Sequence, residues 1–300
     1  MGIMSTQKIL NVLNGTCTKA PQNGGENCCW LENYLLGQVP GHRDWHEFLP
    51  VRAAELSRFS GESITQVSEK LAACREQVLA AAADEEYKIY LYNDGCVFDQ
   101  LLYIMVIREL FEFDELAARI YMVNKNGTPE ELSDDDLEIG ATAAGAFTGQ
   151  DPRGMLVFIM AHNGMLNKYP FLTAAFKRLL QELPDGKSGL GYSQEQVLRQ
   201  LEKSAETFGG LHKKMQTLGD MEHFTDLELK KTLAELAETV TEADGKYALT
   251  EAGKQVLSGK KDFLSLPGGR VRYVGGVKIE PGKRNFKRRM FKNNLEVFEG

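Results

Sequence analysis

Two short polar segments follow apolar runs in a way that would place chemistry at strand ends. Asn14-Gly15-Thr16-Cys17 follows the apolar residues 9–13, and Asn93-Asp94-Gly95-Cys96 follows residues 87–92 and precedes an apolar stretch from Phe98 to Leu110. In an open α/β sheet, ligands bind outside the carboxyl ends of the strands, where helix N-termini aim backbone N–H groups at anions. Asn14, Gly15, Thr16, Cys17, Asn93 and Asp94 therefore form a candidate site for a small anionic ligand, and Asp94 is the candidate general acid or base. The same residues have a second reading. Glycine permits positive φ, and Asn or Asp closes an Asx turn or caps a helix. Neither segment matches a dinucleotide fingerprint or a phosphate loop, so no cofactor is assigned.

Other residues carry chemistry in weaker patterns. His42, Asp44, His46 and Glu47 in "HRDWHEF" could act as ligands or a general base, but the Pro and Gly before them predict a solvated loop with Trp45 and Phe48 tucked against the surface. Arg52 is suited to an anionic ligand, or equally to a structural ion pair with a helix carboxylate. His162 beside Asn163-Gly164 reads as a helix C-cap. The tandem Cys28-Cys29 reads as buried small hydrophobes. The five cysteines, Cys17, Cys28, Cys29, Cys74 and Cys96, include no C-x-x-C pair and no zinc-like spacing, so no metal site is expected and reduced thiols are.

Near the end, Lys283, Arg284, Lys287, Arg288, Arg289 and Lys292 are interleaved with Phe286, Met290 and Phe291. Such a mix can track phosphates and stack on bases. It can also be a solvated face, or one neutralised by acids of the same chain such as Asp134, Asp135 and Asp136. The net charge of -7 argues against wholesale coating of nucleic acid.

These residues need elements to position them. The 300 residues, 43% hydrophobic and 26% charged, have the composition of a soluble globular protein with one large or two smaller domains. No apolar run reaches the roughly 20 residues of a membrane helix, and "MGIMSTQKIL" has no signal-peptide apolar region, so a cytoplasmic protein without a membrane partner is expected. Strands alternate with helices over residues 1–125, which predicts a Rossmann-like α/β domain with a mostly parallel sheet. In it, Leu101, Leu102, Ile104, Met105 and Ile107 should line the buried side of the helix after the second polar segment, with Arg108 and Glu109 in solvent.

Residues 126–188 read as helices only, a bridge with a capping box at Ser133 and Asp136 and a cap at Asp151 before Pro152. Residues 189–300 read as a winged-helix-like module. It should open with a cap at Ser193 and Gln196, continue into a helix in "DLELKKTLAELAE", and then form a short strand and turn in "GKYALTEAGKQVLSG". An extended ribbon, "RVRYVGGVKI", and the basic tail complete it.

Eight segments occur in an order that resembles the bacterial domain-of-unknown-function family 1835: "LNVLNGTCT", "WLENYLLGQVP", "RAAELS", "YLYNDGCVFDQLLYIMVI", "YPFLTAAFKRLLQELPDGKSGLGYSQEQVL", "LGD", "LTEAGKQVLSG" and "RVRYVGGVKI". The likeness runs from about Leu10 to Ile279. It implies an N-terminal α/β domain and a helical C-terminal part, and it brings no catalytic residues. The chain departs from the family pattern where it has Gly15-Thr16-Cys17 in place of an acid and a small hydroxyl. It departs again where it has Tyr92-Asn93-Asp94-Gly95-Cys96 in place of a Trp-Phe-Glu-His-Asp run.

Overall fold

The computed structural model describes residues 7–15, 21–93, 95–113, 115–124, 127–219, 221–291 and 294–300. The chain forms two compact units. The first comprises Met1–Tyr34, Pro40–Gly149 and Gly154–Ala175; the second comprises Leu35–Val39, Gln150–Arg153 and Phe176–Gly300. The predicted bridge is therefore divided between them, with most of its helical residues in the first unit.

The first unit is a mixed α/β structure. Its elements are β1 (Lys8–Asn14), β2 (Glu26–Trp30), α1 (Trp45–Ser60), α2 (Ile64–Ala83), β3 (Tyr87–Asn93), α3 (Val97–Leu110), β4 (Ile120–Asn124), β5 (Pro129–Glu131), α4 (Asp134–Thr148) and α5 (Arg153–Ala161). α6 (Leu172–Leu180) carries the chain into the second unit. The sheet order is β2-β1-β3-β4-β5, parallel throughout except for antiparallel β5. β5 corrects the expectation of helices alone after residue 126: three residues suffice for an edge strand, too few for an alternating pattern to show.

Side chains alternate across a strand, so register turns each apolar strand into rows shared with its neighbours. Leu10, Ile89 and Ile120 form one row, and Val12, Leu91 and Met122 the next. All six are fully buried. α3 lies deep in the unit, and all five of its residues predicted to be buried are. Arg108 is buried too, against the expectation that it reaches solvent. Its guanidinium lies 5.3 Å from the Phe48 ring centre and donates to the His42 carbonyl at 3.4 Å.

Local caps fix several helix starts. At α4 the capping box is present: Asp136 N–H donates to Ser133 Oγ at 3.2 Å and Ser133 N–H to Asp136 Oδ2 at 2.9 Å. Asp151 Oδ1 accepts from Arg153 N–H at 2.9 Å at the head of α5. The segment predicted as a solvated loop around Trp45 instead starts α1, because Asp44 accepts from His46 N–H at 2.8 Å and caps it.

The second unit contains α7 (Tyr192–Lys203), β6 (Glu206–Thr207), α8 (Phe208–Gln216), α9 (Asp226–Glu235), β7 (Val240–Ala243), β8 (Lys246–Leu249) and α10 (Glu251–Leu257). Two hairpins follow, β9 (Arg272–Val274) with β10 (Val277–Ile279), and β11 (Phe286–Phe291) with β12 (Asn294–Glu299). The three-stranded sheet runs β6-β8-β7. Asp244 and Gly245 both take positive φ, 51° and 70°, as a two-residue turn between β7 and β8 requires.

Two further expectations are corrected in this unit. α7 is capped at Gly191, whose N–H donates to Gln194 Oε1 at 2.9 Å, while Ser193 Oγ donates to Glu182 at 2.5 Å. Ser193 lies inside the helix, and its hydroxyl also accepts from Arg178 Nη2 at 3.0 Å. Residues 251–257 form α10, where a turn was expected, because Thr250 Oγ1 accepts from Gly253 N–H at 3.1 Å and starts a helix.

Candidate functional site at the strand ends

The apolar rows of the first unit's sheet end in a polar one. Two residues beyond Val12 and Leu91 stand Asn14 and Asn93, and Asn93 pairs in register with Asn124. Three parallel strands thus close one face of the sheet with asparagine. β1 lies between β2 and β3, so the chain leaves β1 to one side and, after α1 and α2, returns on the other. That is the topological switch point at which open sheets leave a crevice.

The strand ends are tied to α3. Asn14 Nδ2 donates to Asp99 Oδ1, and Gln100 Nε2 donates to Asn93 Oδ1 at 2.9 Å. Asn93 Nδ2 reaches Asn124 Oδ1 at 3.2 Å. Asn93 Oδ1 also accepts the Gly95 N–H at 2.6 Å, closing an Asx turn in which Gly95 takes φ +86°. A Cβ on Gly95 would meet the Phe171 ring at 2.9 Å, so glycine is required there twice over. The turn reading thus holds for Asn93, whose amide is engaged at both ends.

The cap of α3 is unusual in its chemistry. It is Cys96, whose sulfur accepts the Asp99 N–H at 3.4 Å. Burial, followed by the charge of Asp99, pushes this thiol up to about 12, so at neutral pH the cap is an uncharged sulfur. A thiol is a weak acceptor beside the oxygens that ordinarily cap helices. Beside it, Asn93, Asp99 and Gln100 are all buried, and Gln100 Oε1 has no hydrogen-bond partner among the described residues.

Of the residues predicted for this site, Asn14, Gly15 and Asn93 lie at the strand ends, with Gly15 at φ +67°. Thr16, Cys17 and Asp94 lie outside the described residues. Arg52 is in the core: its side chain is fully buried and its Nη2 sits 2.6 Å from Glu32 Oε1 and 2.9 Å from the Asn33 carbonyl. It makes the structural ion pair, with a carboxylate from the segment after β2 instead of a helix. Asp99, Gln100 and Asn124 were not singled out from the sequence. Asp99-Gln100 is the one polar pair inside the apolar run 97–107, and Asn124 repeats the pattern of asparagine after an apolar strand.

Comparison with protein-family models, curated proteins and solved structures finds no match to this chain.

The remaining candidates resolve into local structure. His42 Nδ1 lies 3.1 Å from Glu47 in an exposed pair, and His162 stacks on Phe158 and contacts its carbonyl. Among the described residues no three His, Cys, Asp or Glu side chains converge as a metal site would require, and no helix is long and apolar enough to cross a membrane.

The basic tail is the β11–β12 hairpin, and its charges are largely matched within the second unit. Arg289 Nε is 2.7 Å from Glu296, Lys287 is 3.0 Å from Asp262, and Arg284 is 3.7 Å from Glu299. Arg288 is buried, donating to the Leu183 carbonyl at 3.1 Å with Glu195 at 3.6 Å. Lys283 is exposed, and Lys292 lies outside the described residues. Elsewhere in this unit, Phe208, Lys230, Leu233, Ala234, Glu242 and Tyr247 line a surface groove of about 400 Å³.

Proposed function

We propose that the first unit, read as a Rossmann-like domain, binds a small ligand at the carboxyl ends of β1 and β3, with an anionic oxygen of that ligand at the N-terminus of α3. The observation that carries this reading is the neutral sulfur cap. A helix N-terminus bears partial positive charge and backbone donors, and a carboxylate or phosphate oxygen satisfies both far better than a thiol. Gln100 Oε1, buried and unsatisfied beside that cap, suits a hydroxyl or amide donor on the same ligand. Asn14 and Asn93 act as positioning residues that hold α3 against the strands. On this reading the chain is a relative of domain-of-unknown-function family 1835 and works in the cytoplasm.

Thermal-shift measurements with phosphate monoesters and small carboxylates test it, using wild type and Cys96→Asp. The variant supplies its own anionic cap and should lose the shift while remaining folded. Equal shifts in both proteins would place the ligand elsewhere.

A second reading gives the protein a nucleic-acid-associated role. Its support is the second unit's element order, helix, strand, two helices and a hairpin, with the sheet order β6-β8-β7 of a winged-helix module. The face formed by α9 and the β7–β8 turn carries Asp226, Glu242 and Asp244 against Lys230 and Lys246. That balance gives phosphates little to neutralise, which ranks this reading second. Binding to duplex at physiological salt that weakens steeply as salt rises would reverse the order.

A further inference from the structure

Cys28 and Cys74 are 46 residues apart in sequence and face each other between β2 and α2. Cys28 Sγ donates to the Cys74 carbonyl at 3.6 Å, and Cys74 Sγ donates to the Cys29 carbonyl at 2.9 Å. Cys28 is fully buried and Cys74 is partly exposed. Alternation along β2 sends the Cys29 side chain to the opposite face of the sheet, so only Cys28 of the tandem pair can meet Cys74.

We propose that Cys74 is a hydroperoxide-reactive thiol and that Cys28 is the thiol that resolves its oxidised form as an intramolecular disulfide. The arrangement matches a redox-reactive pair: a partly exposed sulfur to meet the oxidant and a sheltered one on the segment it packs against. The polarity is built in. Its neighbour Cys28 holds the Cys74 thiol below the ordinary thiol range, whereas Cys28 is pushed up by Cys74 and by burial. The thiolate is the nucleophile in such chemistry, so Cys74 reacts first.

In the first step Cys74 sulfur attacks the terminal oxygen of the hydroperoxide. An S–O bond forms, the O–O bond breaks, and the departing oxygen leaves as an alcohol, or as water when the oxidant is hydrogen peroxide. Cys74 is then a sulfenic acid. In the second step Cys28 sulfur attacks Cys74 sulfur, the S–S bond forms, the S–O bond breaks, and the hydroxyl leaves with the Cys28 proton as water. Overall, two thiols and one hydroperoxide give one disulfide, one alcohol and one water. Each sulfur lies against a backbone carbonyl of the facing segment, and the disulfide closes when the two sulfurs come to about 2.05 Å. The proposal is independent of the ligand reading above, because neither thiol belongs to the strand-end row.

The test is a non-reducing peptide map of the full chain after one equivalent of hydrogen peroxide. The expected product has lost two hydrogens and contains a linked pair of peptides carrying Cys28 and Cys74. In Cys28→Ser, Cys74 should instead accumulate as a sulfenic acid that dimedone traps. A linkage through Cys29 or Cys96, or a wild-type Cys74 that stays a free thiol while other cysteines oxidise, would overturn the proposal. The wild-type map decides even if the serine variant folds poorly.

Discussion

Asn14, the last residue of β1, donates its amide to the carboxylate of Asp99 in α3, 85 positions further along the chain. The bond links the strand at the switch point to the helix whose N-terminus we assign to the ligand. Asn14→Ala removes a donor from a buried carboxylate and should destabilise the protein by about 1–3 kcal/mol. Urea denaturation measures it. An unchanged midpoint would show that the strand end and the helix are held together by other means.

Cys96→Ser replaces a sulfur cap with an oxygen. Serine is among the preferred N-caps, so the ligand-free protein should gain about 0.5–1 kcal/mol. Affinity for the anionic ligand should fall at the same time, because the new cap occupies the donors that the ligand uses. Calorimetric melting with and without phosphate monoesters reads both effects.

Arg52 and Glu32 form a buried pair, and removing one partner strands the other's charge. Arg52→Met should cost about 3–5 kcal/mol, and adding Glu32→Gln should recover a large part of that loss. If the double variant is no more stable than Arg52→Met alone, the guanidinium contributes by packing on Tyr34 and not by pairing.

Leu102→Ala should cost about 2–5 kcal/mol, since Leu102 is 1% exposed in the most deeply buried helix of its unit. A chevron or equilibrium urea titration gives the value. Retention of full stability would put α3 in a different environment from the one described.

In the second unit, burial pushes Glu182 upward. Arg178, the Ser193 hydroxyl and Lys231 more than offset that and hold it down at about 2, from an ordinary 4.5. Its folded-state value is therefore the lower one, and its contribution to stability is complete above pH 4.5 and lost as pH falls towards 2. Glu182→Gln should flatten the acid limb of the stability profile in that window and leave the neutral-pH slope unchanged. An identical acid limb would assign the pH dependence to other carboxylates.

Much of this architecture was legible in local chemistry. Apolar runs ending in asparagine located β1 and β3, and Ser133 with Asp136 located the start of α4, because strand pattern and cap are both written within a few residues. What the sequence could not reveal was set by distant partners. Ser193 reads as a cap until α7 is capped at Gly191 and Arg178 fills the acceptor side of its hydroxyl, and Arg108 reads as solvent-exposed until α1 supplies Phe48 above it. Arg52 suits an anionic ligand and a structural ion pair equally until Glu32, twenty residues earlier, meets it in the core. The basic tail reads as a phosphate track or as a face neutralised by the chain's own acids until strand pairing sets Arg289 opposite Glu296. At the candidate site, Asn14 and Asn93 were visible as strand ends. Asp99 and Gln100 were not, because their role depends on α3 lying across those ends.

The measurement closest to the central claim is a titration of the isotope-labelled full chain with inorganic phosphate, followed through its amide resonances. The account predicts saturable shifts centred on the amides of Val97, Phe98 and Asp99 at the head of α3, absent in Cys96→Asp. Shifts confined to another helix N-terminus, or none at α3 at phosphate concentrations that saturate the rest, would contradict it.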